Sequence, residues 1–169
     1  MSGALKDGLY RSVIQTPWDS TRWPNFMPRE IACQDGDCVY CGGSTYLDLD
    51  ALDKLQSMRH MLNTSLYINS GHRCPEHNKK IGGASASAHL KLAFDIGFGS
   101  FDRYEVFSAA IRAGFSHFGF MKHAIHLDTR PLHAAAQYWS YGPTSRELWK
   151  EAWQKASLNP KEIQDIGGV

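Results

Sequence analysis

Two short stretches of this chain carry side chains suited to hold a metal ion. In SAHLKLAFD (87–95), His89 ends a polar run and Asp95 follows six positions later. In HAIHLD (123–128), His123, His126 and Asp128 lie close together. A catalytic zinc takes three protein ligands from histidines and carboxylates and leaves a fourth position for water. Strand alternation gives both stretches a direction. Ile125 and Leu127 then face a core, while His126 and Asp128 face away from it together. Asp95 shares its face with Ala93 and Gly97, whose small size leaves room beside the carboxylate. Two such strands in one sheet set Asp95 and His126 on one surface, with His89 reaching in from the preceding loop. The pattern is less specific than H-E-x-x-H. The same residues also suit ordinary hydrogen-bonded roles, and spacing alone leaves both readings open.

A second group is the cysteines: Cys33, Cys38 and Cys41, spaced C-x4-C-x2-C, and Cys74. They are open to a second, structural zinc, to one or two disulfides formed after release from the cell, or to buried free thiols. A matching second C-x2-C pair is missing, which weighs against the zinc. His60, His117 and His133 have no evident partner. His72 and His77 lie in a polar loop, where His77 precedes Asn78 in a pair better suited to fixing that loop than to binding metal.

The elements that must position these residues follow from pattern. Residues 1–46, rich in Trp, Pro, Gly and Asp, read as an irregular cap. Ala51, Leu52, Leu55, Met58 and Leu62 recur at helical period and predict a helix over 50–62, with Asp48 and Asp50 at its start. Residues 65–71 read as a short buried strand, 72–88 as a long polar loop and 92–97 as a second strand. A helix is expected over 101–113, with Ser100 as N-cap and Gly114 as stop. Two strands follow at 115–121 and 124–129. A last amphipathic helix is expected from Thr144, where Thr144 and Glu147 suit a capping box and Trp149, Ala152, Trp153 and Ala156 form one stripe. The order predicts an α+β fold with a small, mostly antiparallel sheet flanked by helices.

The chain has 169 residues and a net charge of +1, and 43% of it is hydrophobic. That fits one domain with its own core: a cap over 1–46, a core over 47–130 and a helical segment over 131–169. The near-neutral balance argues against nucleic acid. No stretch reads as a membrane span or a signal peptide, so the expected protein is made as a soluble cytoplasmic chain, and a monomer.

Four stretches resemble the zinc D-alanyl-D-alanine carboxypeptidase and peptidoglycan endopeptidase family, which shares its fold with the hedgehog signalling domain. They are RWPNFMPREIACQDG (22–36), INSGHRCPEHNKKIGGASASAHLKLAFDIG (68–97), AGFSHFGF (113–120) and IHLDTRP (125–131). They lie in the family's order, and the phage and prophage branch is the most similar. The resemblance implies zinc ligation by His89, Asp95 and His126. It implies that Arg73 contacts substrate or transition-state oxygens, and that Ser87 supports the site or touches substrate. Peptidoglycan stem peptides are the implied partner, met after release by phage lysis or on a virion.

Two departures stand out. Asp95 lies one position closer to His89 than the family's Asp does, and Leu92 stands near a usual Gly. A residue lost from a strand would reverse the facing of Asp95, whereas one lost from the loop would not; the intact alternation of LAFDI favours the loop. Many relatives also carry an acidic residue where His123 stands. The expected base is therefore His123, with Asp128 either as the alternative or as the group that holds an imidazole in the right tautomer. These departures support a rival reading, a zinc-binding module of the same fold that has lost catalysis. A third reading is an adaptor built on the cysteines.

Overall fold

Asp48 starts the first long helix by accepting a hydrogen bond from the Ala51 amide at 3.0 Å. Helix α1 (Leu49–Leu62) then runs until Asn63 takes a left-handed conformation, which an asparagine tolerates. Its apolar stripe, Leu52, Leu55 and Met58, is fully buried. In this computed structural model, residues 4–6 and 8–166 are described.

Six strands form the main sheet: β4 (Tyr67–Ser70), β5 (Phe94–Gly97), β6 (His117–Phe120), β7 (Ala124–Asp128), β8 (Tyr138–Tyr141) and β9 (Ile163–Ile166). Their spatial order is β4-β5-β7-β6-β8-β9. The pairings from β4 to β6 are antiparallel, and β6·β8 and β8·β9 are parallel. The fold is α+β, as expected, with a mixed sheet. A smaller sheet pairs β1 (Ala4–Lys6), β2 (Leu9–Tyr10) and β3 (Thr45–Tyr46), so the amino-terminal region is less irregular than its composition suggests.

Each central strand splits its residues between two faces. Phe94 and Ile96, Phe118 and Phe120, and Ile125 and Leu127 are all buried in the hydrophobic core. There they meet α1, helix α3 (Arg103–Ala113) and helix α4 (Gly142–Lys155). Phe107 of α3 packs edge-on against Phe118 and Phe120, and Trp149 and Trp153 of α4 also pack against Phe120. Burying one such side chain contributes about 1.5–3 kcal/mol, so this face holds the sheet in shape. The opposite face carries Asp95, His126, Asp128, Gly119 and Trp139.

Several expected boundaries move. The strand predicted over 65–71 is an edge strand with Tyr67 exposed, not a buried one. The polar loop at 72–88 contains a short helix, α2 (Pro75–Lys80), started by Pro75 and by the Cys74 sulfur, which accepts from the His77 amide. Helix α3 is capped by Asp102, not Ser100. The Asp102 carboxylate takes amide bonds from both Tyr104 and Glu105, and its charge suits the positive helix end. Helix α4 starts at Gly142 and lacks a side-chain cap. Gly142, at φ 81°, turns the chain straight out of β8, and Pro143 supplies the first helical φ. The segment 131–169, read as helical, also contributes β8 and β9. Arg146 of α4 fastens β9 through Asp165 at 2.8 Å and the Ile163 carbonyl at 3.2 Å. Among the described residues, no helix is long and apolar enough to cross a membrane.

Candidate metal centre

Register places the first two ligand candidates. Asp95 of β5 sits opposite His126 of β7, and Gly119 of β6 sits opposite His126 on its other side. His89 comes from a single 3-10 turn (Ala88–Leu90) that Ser87 caps by accepting the His89 amide at 3.3 Å. The shortened connection ends before Phe94, where β5 begins, so alternation along that strand is intact.

The three side chains converge on one point. His89 Nε2 lies 3.1 Å from His126 Nδ1 and 3.2 Å from Asp95 Oδ1, and His126 Nδ1 lies 3.0 Å from Asp95 Oδ1. All three residues are buried. Ligand atoms around a tetrahedral zinc with bonds of about 2.0–2.1 Å sit about 3.3 Å apart, close to what these atoms present.

Outer partners decide which nitrogens carry protons. His89 Nδ1 is 2.6 Å from the Gly71 carbonyl, which only accepts, so Nδ1 donates and Nε2 keeps its lone pair. His126 Nε2 is 2.9 Å from Asp128 Oδ2 and donates to it, leaving the Nδ1 lone pair aimed at the centre. Arg73 Nη2 donates to Asp95 Oδ2 at 2.7 Å, which turns Oδ1 inward. Three electron-rich atoms therefore face one another. That arrangement is repulsive unless a cation sits among them, and the donor set suits zinc.

The electrostatics agree. Burial lowers the affinity of His89 for a proton and keeps it neutral. Burial alone would raise the Asp95 carboxyl, but the facing imidazoles of His126 and His89, which supply positive charge whenever they take up a proton, outweigh it and hold the group well below the carboxylate range. Asp128 is likewise held low against burial, by His126 and Arg130. His126 moves the other way: burial opposes its charge, yet Asp128 and Asp95 push it above its ordinary range. The centre draws positive charge in, and a proton and a metal compete for the same lone pair.

The cluster forms part of the wall of an open cleft of about 610 Å³. Arg73, Arg130, Trp139 and Tyr141 also line it, with a wall of small residues from Gly82 to Ala88 and at Ala135 and Ala136. Burial holds the Tyr141 hydroxyl protonated. Trp139 lies 5.1 Å from the His126 ring and crosses β6 directly over Gly119. A Cβ at position 119 would meet the indole at 2.6 Å, so glycine is required for that approach.

Not every expected residue arrives. His123 is exposed in the turn between β6 and β7 and does not line the cleft. The turn is short, so alternation that faces His126 inward leaves His123 outside the strand altogether. Asp128 is present but engaged, accepting from His126 Nε2 and from Arg130 N, Nε and Nη2 at 2.8–3.0 Å. It stands where a carboxylate can hold the His126 tautomer. Arg73 is tied to Asp95 and, through Nε, to Ser70 Oγ at 2.9 Å, while its guanidinium still borders the cleft. Ser87 borders it too. Arg130, Trp139 and Tyr141 escaped the sequence reading. The adjacent TRP stretch was a signal for the first; the parallel pairing that brings the other two has no local signature. His117, without an evident partner in sequence, is opposite Asp128 in register and 3.5 Å from its carboxylate.

The family model described as Peptidase M15 matches residues 24–128, more than half of the chain and a span containing His89, Asp95 and His126. No curated protein matches the chain. The two histidines and the aspartate are placed to hold a metal ion, and this chain belongs to the peptidase M15 family, a family of zinc peptidases.

Proposed function

We propose that this protein hydrolyses a peptide bond in bacterial peptidoglycan, as a D-alanyl-type carboxypeptidase or an endopeptidase, with zinc held by His89, Asp95 and His126. The observation that carries this is the meeting of three metal-binding atoms at 3.0–3.2 Å on the wall of an open cleft. When bound, zinc supplies Lewis acidity for activating water and polarising a carbonyl. His89 and His126 hold their lone pairs inward because Gly71 and Asp128 take their protons on the far side. Asp95 balances the metal's charge while Arg73 fixes its orientation. Arg73 spends two of its five N–H donors on Ser70 and Asp95 and offers the rest to a substrate oxygen. Tyr141, kept protonated, is a second donor at the cleft.

Substrate chemistry fits the walls. Glycine and alanine at positions 82–84, 86, 88, 135 and 136 accommodate small side chains such as the methyl of D-alanine. Arg73 and Arg130 favour the carboxylates that stem peptides carry. The likeness to phage and prophage enzymes supports a lytic setting. A second reading has its own observation. With His123 outside, Asp95 is the single carboxylate among the described cleft residues, and Asp128 is engaged. A zinc-binding module without hydrolysis has that look.

Muropeptide digestion with metal analysis separates the two. The wild-type chain is expected to release D-alanine or peptide, and His89→Ala, Asp95→Ala and His126→Ala to lose both activity and one zinc ion. Full activity in all three variants would end the proposal. Zinc retained by the wild type with no release from purified wall would establish the module. The released product, free D-alanine or a cut cross-link, identifies the bond.

A further inference from the structure

Four cysteines gather on the far side of the turn that follows β4, away from the cleft. Cys33, Cys38 and Cys41 come from the cap, and Cys74 immediately precedes α2. Their sulfurs all lie within 4.8 Å of one another, and Cys38 and Cys74 Sγ are 3.8 Å apart. Sulfurs around a tetrahedral zinc with bonds of about 2.3 Å sit about 3.8 Å apart. A disulfide instead draws two sulfurs to about 2.05 Å and leaves pairs. Here all four are free thiols in one mutual cluster, three of them buried.

The surroundings are built for charged sulfur. The Cys74 amide donates to Cys33 Sγ at 3.3 Å, and the His77 amide donates to Cys74 Sγ at 3.4 Å. Ser44 donates to Cys41 Sγ from both its amide, at 3.4 Å, and its hydroxyl, at 3.1 Å. His77 Nδ1 lies 3.3 Å from Cys33 Sγ. A thiol is a weak acceptor and gives little reason for so many donors. Thiolates bound to one divalent ion keep excess negative charge, which such donors disperse. The backbone is bent to bring the sulfurs in. Gln34 and Asp35 adopt φ of 48° and 51°, and Gly36 and Gly43 adopt 86° and 83°. A Cβ on Gly43 would run into the Gly36 backbone.

We propose that Cys33, Cys38, Cys41 and Cys74 bind a second, structural zinc ion that clamps the cap onto the turn carrying Arg73. Of the three readings that the sequence left open for these cysteines, the cluster geometry favours the zinc. Four sulfur ligands leave no open position, so this ion has no part in hydrolysis. Its place gives it a job. Cys74 follows Arg73, whose amide donates to the His89 carbonyl at 2.7 Å and whose guanidinium holds Asp95. Two residues earlier, Gly71 accepts from His89 Nδ1, and its backbone lies against Ile31 of the cap so closely that a Cβ would meet the Ile31 oxygen at 2.6 Å. The cysteine ion therefore fixes the outer partners of the catalytic ligands.

Cobalt(II) reconstitution of this chain tests the proposal without relying on activity. The wild type is expected to show intense sulfur-to-metal absorption in the near ultraviolet, retained by His126→Ala and lost in Cys38→Ser. Zinc content is expected to be two ions per chain, falling to one in either variant. A folded, metal-loaded wild type without the sulfur band overturns the proposal. So does a mass lower by two hydrogens for each bridge formed. Should Cys38→Ser fail to fold, the wild-type spectrum decides alone. A sulfur band without wall hydrolysis would keep the clamp and sink the peptidase reading; hydrolysis without the band would do the reverse.

Discussion

The two donor clusters differ in nearly every respect that matters for chemistry. His89, Asp95 and His126 offer nitrogen and oxygen, stand on the polar face of the main sheet and border a cleft. The cysteines offer four sulfurs, stand on loops and are closed in by amide donors. Three ligands beside an opening leave a place for water and substrate. Four ligands without an opening leave none. The main sheet presents the reactive cluster, and the ion proposed for the cysteines would tie down loops that lie outside that sheet.

The sharpest test of that contrast is His126→Ala. Hydrolysis of purified wall is expected to fall about a thousandfold, the loss of several kcal/mol of metal catalysis. The sulfur absorption and the cooperative unfolding transition are expected to persist. Graded chelation comes next. A mild chelator is expected to strip the open site with little change in melting temperature. A strong one that removes the cysteine-bound ion is expected to cost about 3 kcal/mol, or roughly 6–12 °C. Equal melting shifts in both steps would break the contrast.

Asp128→Asn touches the outer partner alone. It keeps the shape but removes the charge that fixes the His126 tautomer, and a 10- to 100-fold drop in metal affinity or activity is expected, on the order of that for other outer partners. The smallest effect belongs to a control far from both clusters. Asp53 accepts from Arg22 and, at 3.0 Å, from the Trp23 indole, and the Arg22 bond depresses its carboxyl. A depressed carboxyl adds stability above its unfolded range, near about pH 3.9, and loses it as the pH falls through the folded value. Asp53→Asn is thus expected to lower the melting temperature by about 1–2 °C at neutral pH, and by nothing once both states are protonated.

Local pattern carried the parts of the site that depend on local geometry. Alternation along LAFDI and AIHLD sufficed to put Asp95, His126 and Asp128 on one face, because a strand has a fixed period. The stripe of α1 and the glycine stop of α3 were legible for the same reason. The position of His123 outside the cleft was not legible, because turns have no such period. Helix α2 went unseen because six mostly polar residues show no apolar repeat. Trp139 and Tyr141 reach the cleft through β8, whose parallel pairing with β6 is a long-range event. The cysteines were grouped from the sequence, but spacing left zinc, disulfides and free thiols all open, because Cys74 is brought to the other three by long-range folding.

Residues 71–75 make one further point about the molecule. Gly71 and Arg73 serve His89 and Asp95, and Cys74 belongs to the cysteine cluster, so neighbouring links of one short turn answer to both clusters. Such a stretch has no slack in length. Near Gly99, by contrast, the surroundings are open, with no atom within 4 Å of an added Cβ. A single residue added between Arg73 and Cys74 must pull one anchor off its mark, so this turn has little freedom to grow.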